Sequence, residues 1–505
     1  MKKSLSTFNW FMFNRLLLLA LFVLTWCLPP ASVGAQAPSK PDLKTLDTFV
    51  QENVQKYRVP GFALAVIQNG QVVFTKGYGQ ATPNTPVTPS TQFFIGSVNK
   101  SFIGIAVMQL VEQGKIELDA PVQRYIPWFQ VADPEASRAI TIRHLLNHTS
   151  GLYEDGDRGA NNLSPTLTEQ IQQMRLARLS APAGTKFQYD TQNYRLLGLV
   201  IEQVSGQPFA DYLSEHLLQP MDMTHTVTNP AQATELAQGH GQFFGLALPR
   251  NQPYQPAGLP IITDVQDMAK LAVMMLNQGH YGENALLQSK SFEQLITPPT
   301  GIDSDYAMGW NASNTPGGYN FGGKKVIFNG GTVANYQSMV VLIPEEKSGI
   351  VYLVNQNGLL PMFTSLTSIK LGLMEWLTGQ PLSATPFYDW LYWLMAALAL
   401  IEIGSQIYRS IHLKSWLVKS PGRPGLKRWL GIAIEIILPA FIIWGFPAIM
   451  ISNVNANVDW ANGYDMLPDG VFWLLFSSSV CLLRGSIKLV LVLLKNVKRP
   501  APAES

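Results

Sequence analysis

The sequence predicts an α/β domain, one sheet with a helical subdomain, followed by a tail of three membrane-spanning helices. Three observations lead there. Strand-like runs stand at both ends of the segment 38–380, with helix-like patterns between them. Beyond Pro386 the chain changes to three apolar runs, each near the length needed to cross a bilayer. The 505 residues combine a charged fraction of only 14% with a positive mean hydropathy, as a water-soluble domain with membrane segments attached would.

The N-terminus reads as a signal peptide over residues 1–37. Lys2, Lys3 and Arg15 make a basic start, Leu16 to Leu28 an apolar core, and Val33-Gly34-Ala35 or Ala35-Gln36-Ala37 a small-residue cleavage site. An uncleaved anchor is the alternative. Trp26 is too large to precede a lipid-bearing cysteine, so Cys27 is not read as a lipidation site. Cys27 and Cys481 are the only cysteines, which leaves the exported domain without disulfides or thiol chemistry. Such a domain relies on the size of its core. The formal net charge of +2 argues against a nucleic-acid partner.

Within 38–380, Leu46 to Tyr57 has helical spacing. Phe62 to Ile67 and Val72 to Thr75 flank Asn69-Gly70, a strong hairpin signal. A helix runs from Ser97 to about Gln113 and stops at Gly114. Short helices are expected at Ile142 to His148, Tyr194 to Val204 and Asp264 to Asn277. The strand pattern returns at Ser338 to Ile343 and Ile350 to Val354, and a helix follows at Leu366 to Leu377. A ligand site is expected in the cleft between sheet and helical subdomain.

The chemistry concentrates in Phe94-Ile95-Gly96-Ser97-Val98-Asn99-Lys100. Residues three apart share a helix face, so Ser97 and Lys100 put a hydroxyl beside an amine. A serine is a weak nucleophile until a neighbour takes its proton, and a lysine does so when its surroundings favour the neutral amine. Unpaired N–H groups at the helix start can stabilise the oxyanion formed on attack.

Several segments together resemble the serine beta-lactamase and penicillin-binding-protein superfamily, in particular class C beta-lactamase-like serine hydrolases. They are Ser97-x-x-Lys100, the run Leu145 to Leu152 with Asn147-His148-Thr149-Ser150-Gly151, Phe187-Gln188-Tyr189 with Asn193 to Gly198, Tyr306-Ala307-Met308-Gly309-Trp310, and Gly330-Gly331-Thr332. The resemblance covers about Leu43 to Leu377. It implies a beta-lactamase/transpeptidase-like fold, an antiparallel sheet flanked by helices plus a helical subdomain. It implies an acyl-enzyme on Ser97, proton transfer shared by Lys100 and Tyr189, and an oxyanion hole from the N–H groups of Ser97 and Thr332. Asn329, Gly330, Gly331 and Thr191 would line the substrate site.

Two departures bear on substrate choice. The second motif, usually Tyr-x-Asn, reads Tyr189-Asp190-Thr191, with Asp190 a negative charge beside the site if it points inward. The third has Asn329 where the family has Lys or His, and asparagine carries neither proton nor charge. A weak beta-lactamase is therefore expected, better suited to esters or amides without an obligatory carboxylate. His148 reads as a residue that orders its loop rather than a catalytic one. No cofactor is expected, and no His, Asp and Glu spacing suggests a metal. Gly317-Gly318 and Gly322-Gly323 read as loop, since no Lys-Ser/Thr helix start follows.

The three apolar runs span about 389–408, 429–451 and 470–494, within a tail of 386–495. Arg409, Lys414, Lys419, Arg423, Lys427 and Arg428 load the first connection. The second has Asp459, Asp465 and Asp469 but no Lys or Arg, and Lys495, Lys498 and Arg499 close the chain. The positive-inside rule then puts the first connection and the tail 496–505 in the cytoplasm, and the domain 38–380 outside. Glu402, Glu435, Arg484 and Lys488 fall at similar depth, so the two acids are expected to pair with the two bases. Trp390, Trp393, Trp429 and Trp473 fit an interfacial belt. The resulting expectation is a membrane-anchored extracytoplasmic serine hydrolase acting on cell-wall D-amino-acid peptides or small esters. Its rivals are a degenerate module that binds a cell-wall ligand, and a transport or signalling subunit whose function lies in the tail. Oligomeric state is left open.

Overall fold

In the computed structural model, which describes residues 42–153, 166–251, 258–315, 319, 321–358, 361–362, 365–382, 389–418, 425–445 and 467–497, Asn69 and Gly70 both adopt positive φ. That backbone suits a two-residue hairpin between strands β1 (Gly61–Gln68) and β2 (Gln71–Thr82). The sheet continues with β3 (Thr85–Pro86) on one side. On the other, β1 pairs antiparallel with a C-terminal strand, Phe62 opposite Val354. With β4 (Phe93–Phe94), β5 (Ile262–Thr263), β6 (Tyr306–Ala307), β7 (Trp310–Ser313), β8 (Val326–Val333), β9 (Tyr336–Ile343) and β10 (Ser348–Val354), the main sheet runs β6-β7-β8-β9-β10-β1-β2-β3. The two ends of the domain thus close one sheet, as expected. The signal-peptide segment, Gly317-Gly318, Asp459, Asp465 and the segment 498–505 lie outside the described residues.

Successive side chains of β1 alternate between two cores. Phe62, Leu64 and Val66 join helices α1 (Leu43–Lys56) and α6 (Ser365–Thr378). Ala63, Ala65 and Ile67 join α2 (Asn99–Glu112), α4 (Thr191–Ser205) and α5 (Val265–Leu276). Each fully buried Phe, Leu, Ile or Val side chain contributes roughly 1.5–3 kcal/mol, so this strand stabilises both cores at once.

Short polar side chains set the helix starts. Asp42, Thr141, Asp190 and Asp264 each accept a hydrogen bond from a first-turn N–H of α1, α3 (Ile142–Leu146), α4 and α5. These caps start α4 at Thr191, three residues before the sequence pattern does. Gly206, at φ 74°, ends it.

Among the described residues the chain divides into two compact units, the domain and the tail, with Gln242–Leu246 grouped with the tail. The tail contains α7 (Asp389–Ile411), α8 (Leu426–Ala440) and α9 (Pro468–Val497). Three segments, Trp393–Ile411, Arg428–Gly445 and Pro468–Leu494, are long and apolar enough to cross a membrane. Pro439 cannot donate to the helix ladder, and after Ala440 α8 widens into a π turn over Phe441–Gly445.

The charge pairing in the tail differs from expectation. Lys488 Nζ donates to both oxygens of Glu435, at 2.8 and 2.9 Å, and Arg484 Nε reaches the same carboxylate at 3.4 Å. Glu402 meets neither base directly. Gln406, one turn on along α7, donates to it at 2.6 Å, Ser477 Oγ lies 3.4 Å away, and Arg484 donates to Gln406. The i,i+4 geometry of α7 puts the neutral amide between acid and guanidinium. Trp473 also departs from the belt reading, for it is buried against Leu398 and Ala399, whereas Trp393 is exposed.

Candidate active site

Strand β4 delivers the Ser97 turn. Phe93 and Phe94 pair with Thr263 and Ile262 of β5, and Ile95 N–H donates to Ile261 O. Gly96 follows at φ 52°. A Cβ there would stand 2.7 Å from Thr332 N, so only glycine lets this turn lie against β8. Ser97 sits in the 3-10 turn Gly96–Val98 rather than in the α-helix proper, which begins at Asn99. The three-residue spacing still brings the pair together, and Lys100 Nζ donates to Ser97 Oγ at 3.2 Å.

Tyr189 closes the trio from the segment before α4, its hydroxyl donating to Ser97 Oγ at 2.7 Å. Lys100 is 3% exposed, and among the described residues no carboxylate pairs with it. Its nearest aromatic faces are Tyr189 and Tyr194, with Nζ 5.1 and 5.8 Å from the ring centroids, within cation–π reach. Burial pushes the hydroxyls of Tyr194 and Tyr306 well above the usual tyrosine range, so both stay protonated. Tyr189, 44% exposed, is the tyrosine of this cluster that reaches both solvent and Ser97.

Asp190 does not present a free charge to the cleft. It is 1% exposed, and its carboxylate accepts from Gln192 N at 2.7 Å as the N-cap of α4. Thr191 is the half-buried first residue of that helix. Asn193, fully buried, does the bridging. Its Oδ1 accepts from Ser150 Oγ at 2.6 Å, and its Nδ2 lies 3.1 Å from His148 Nδ1.

The third motif lies on β8. Strand β7 covers β8 only as far as Phe328, leaving Asn329 to Val333 free on that flank. Gly331 abuts the Ser97 turn so closely that a Cβ would fall 1.8 Å from Ile95 O, while Gly330 and Thr332 are exposed on the other side of the strand. Asn329 is 5% exposed, and its Nδ2 is shared among Ser101 Oγ (2.8 Å), Gly309 O (2.8 Å) and Ser97 O (3.3 Å). This residue fastens β8 to α2 and to the Met308-Gly309 turn. Ser101 Oγ also donates to Gly309 O, at 2.8 Å. Gly309, at φ 98°, packs on Lys100 O, where a Cβ would stand at 2.4 Å.

The structure therefore brings Ser97, Lys100 and Tyr189 to one point. It sets Gly331 and the backbone of Thr332 beside the Ser97 turn, and turns Asn329 inward. Sequence reasoning missed the Asn329–Ser101–Gly309 fastening and the cap role of Asp190. The cap was readable, since an Asp directly before a helix is a common start signal. Among the described residues, no group of three or more His, Cys, Asp or Glu is placed to hold a metal.

The family model described as Beta-lactamase matches residues 46–370. Protein flp of Staphylococcus aureus (strain MW2) is 25% identical over 464 residues, 89% of this chain and 90% of its own. That share exceeds what the matched domain and the N-terminal segment can hold, so the likeness runs into the C-terminal helices. The octameric penicillin-binding protein homologue from Pyrococcus abyssi superposes with a TM-score of 0.57 at 26% identity, covering 67% of this chain and 78% of that one. FmtA from Staphylococcus aureus shares the fold, with a TM-score of 0.54 at 23% identity over 69% of this chain and 91% of its own. With a family profile matched over more than half of its length, this chain belongs to the beta-lactamase family.

Proposed function

We propose that the chain is a serine hydrolase that works through an acyl-enzyme on Ser97. The observation that carries this reading is the convergence of the Lys100 amine and the Tyr189 hydroxyl on one serine oxygen, at 3.2 and 2.7 Å. In the reacting state the Ser97 proton passes to this amine–phenol pair as Oγ attacks the acyl carbon. The same pair then protonates the leaving group. A water activated in the same way releases the acyl group. The N–H groups of Ser97 and Thr332 are the proposed oxyanion donors, supported by the contact of Gly96 with Thr332 N.

Substrate choice follows from Asn329. With its amide spent on three acceptors inside the protein, Asn329 offers neither a cation nor a free amide to a substrate carboxylate. Esters and amides of small peptides, without an obligatory carboxylate, are the proposed substrates, and beta-lactams are poor ones. The domain is proposed to face the exterior or periplasm, anchored by the tail with its C-terminus in the cytoplasm. The asymmetry of Lys and Arg between the two connections supports that orientation.

The test is intact-mass measurement on the detergent-solubilised full chain after exposure to a fluorophosphonate and, separately, to benzylpenicillin, with Ser97→Ala as control. The expected result is one fluorophosphonate adduct, absent from the variant, and slow or no penicillin labelling. Absence of both adducts from folded protein would overturn the hydrolase reading in favour of a binding module.

A further inference from the structure

We propose that His148 is a positioning residue that clamps Tyr189 against Ser97. This rests on the reading of Ser97 as nucleophile and Tyr189 as its proton partner. The contacts bracket Tyr189 on both sides. His148 O accepts from Gln188 N–H at 2.8 Å, and His148 Nδ1 accepts from Asp190 N–H at 3.3 Å. Between those two backbone bonds, the imidazole lies against the Tyr189 ring with centroids 4.4 Å apart. One residue therefore holds the main chain before and after Tyr189 and the side chain itself.

The clamp is built to stay put. His148 is fully buried, and its φ of 54° is a conformation that non-glycine residues adopt at a cost. Tyr306 and Tyr194 wall the imidazole at 4.6 and 5.1 Å between centroids, and Phe187 at 6.1 Å. Asn193 Nδ2 adds a second donor to Nδ1, which fixes the imidazole proton on Nε2. Nε2 has no hydrogen-bond partner among the described residues and is not aimed at Ser97 or Lys100 within bonding reach. That geometry separates positioning from proton transfer, because the nitrogen that could exchange a proton touches none of the reacting atoms. The titratable rings against the imidazole are Tyr189, Tyr194 and Tyr306, with Lys100 and Asp190 as the charged residues beside it. The Lys100 charge, after burial, keeps the imidazole neutral.

The experiment is a double-mutant cycle on the second-order rate of fluorophosphonate labelling of the full chain in detergent. His148→Phe keeps a ring and removes the Nδ1 acceptor. His148→Asn keeps a short acceptor and tolerates positive φ. Each is made in the native chain and with Tyr189→Phe. In the native background, displacing a catalytic group by about 1 Å predicts a loss of about 10²-fold for His148→Phe, with partial rescue by His148→Asn. With Tyr189→Phe the same changes should alter the rate by about two-fold or less, because what they position is gone. Equal losses in both backgrounds, or no loss in the native one, would overturn the clamp and leave the hydrolase reading standing. If the wild type is not labelled at all, the hydrolase reading is the one that fails. The clamp is then judged from crystals of whichever His148 variant folds. Tyr189 Oη beyond hydrogen-bond reach of Ser97 Oγ supports it, and an unchanged 2.7 Å contact overturns it.

Discussion

Lys100 in the domain and Lys488 in the tail are buried to a similar degree, 3% and 9% exposed, yet they are treated in opposite ways. Lys488 has two hydrogen bonds to Glu435, and Arg484 reaches the same carboxylate. Lys100 has a serine hydroxyl and two tyrosine faces. A buried amine bonded to both oxygens of a carboxylate is one half of an ion pair. A buried amine without one faces a serine hydroxyl instead. The first arrangement ties helices together, and the second is the one on which the proposed chemistry rests.

The sharpest way to break the comparison is to remove each charge in turn. Lys100→Met keeps the length of the side chain and deletes the amine. Fluorophosphonate labelling of Ser97 should fall by ~10³-fold, about 4 kcal/mol of barrier. The thermal midpoint should hold or rise, since no ion pair is lost. A variant that labels normally would show that Lys100 is packing rather than proton partner. One that loses both labelling and fold would show that its charge is structural after all.

The tail should answer in reverse. Glu435→Gln leaves Arg484 and Lys488 without their shared carboxylate, and breaking a buried pair of this kind costs about 3 kcal/mol. Unfolding of the full chain in mixed micelles, followed by helix content against rising SDS, should show the tail giving way earlier. Glu402→Gln should cost less, because its partners Gln406 and Ser477 are neutral. If both substitutions cost the same, the separation drawn between the two acids is wrong.

The sequence made the local parts of this picture legible. Asn69-Gly70 announces its hairpin because both residues accept positive φ, and an apolar run stands on each side of it. Ser97 and Lys100 meet because three residues make nearly one helical turn. Tyr189 is 92 residues away, and only its place in a run of family motifs assigned it to the same point. What stayed hidden depends on long-range direction. Asn329 occupies a position associated with substrate, but its acceptors stand 232, 228 and 20 residues distant, and only the folded β8 shows that it turns inward. Similarly, Glu402 and Glu435 share a depth, but helix rotation decides which of them meets the bases. His148 was legible as a loop-ordering residue, while its hold on both sides of Tyr189 required the register of two segments against each other.

The smallest effect refines the comparison with a third buried nitrogen. Burial first, then the Lys100 charge, hold His148 well below its ordinary 6.5. The unfolded chain accepts a proton near the ordinary value, while the folded chain declines it. The associated stability is fully present above about pH 6.5 and is lost as pH falls towards the folded value, by up to about 1.4 kcal/mol per pH unit for one proton. Denaturant unfolding of the full chain at pH 7.5, 6.5 and 5.5, beside His148→Asn, isolates this contribution, since the other groups are common to both proteins. The variant should start less stable, having lost the ring's packing, and should close part of the gap as pH drops. A gap that stays constant from 6.5 to 5.5 would mean that the folded protein protonates His148. Its Nδ1 would then be a donor facing the Asp190 and Asn193 donors, and the hold on Tyr189 could not survive in that form.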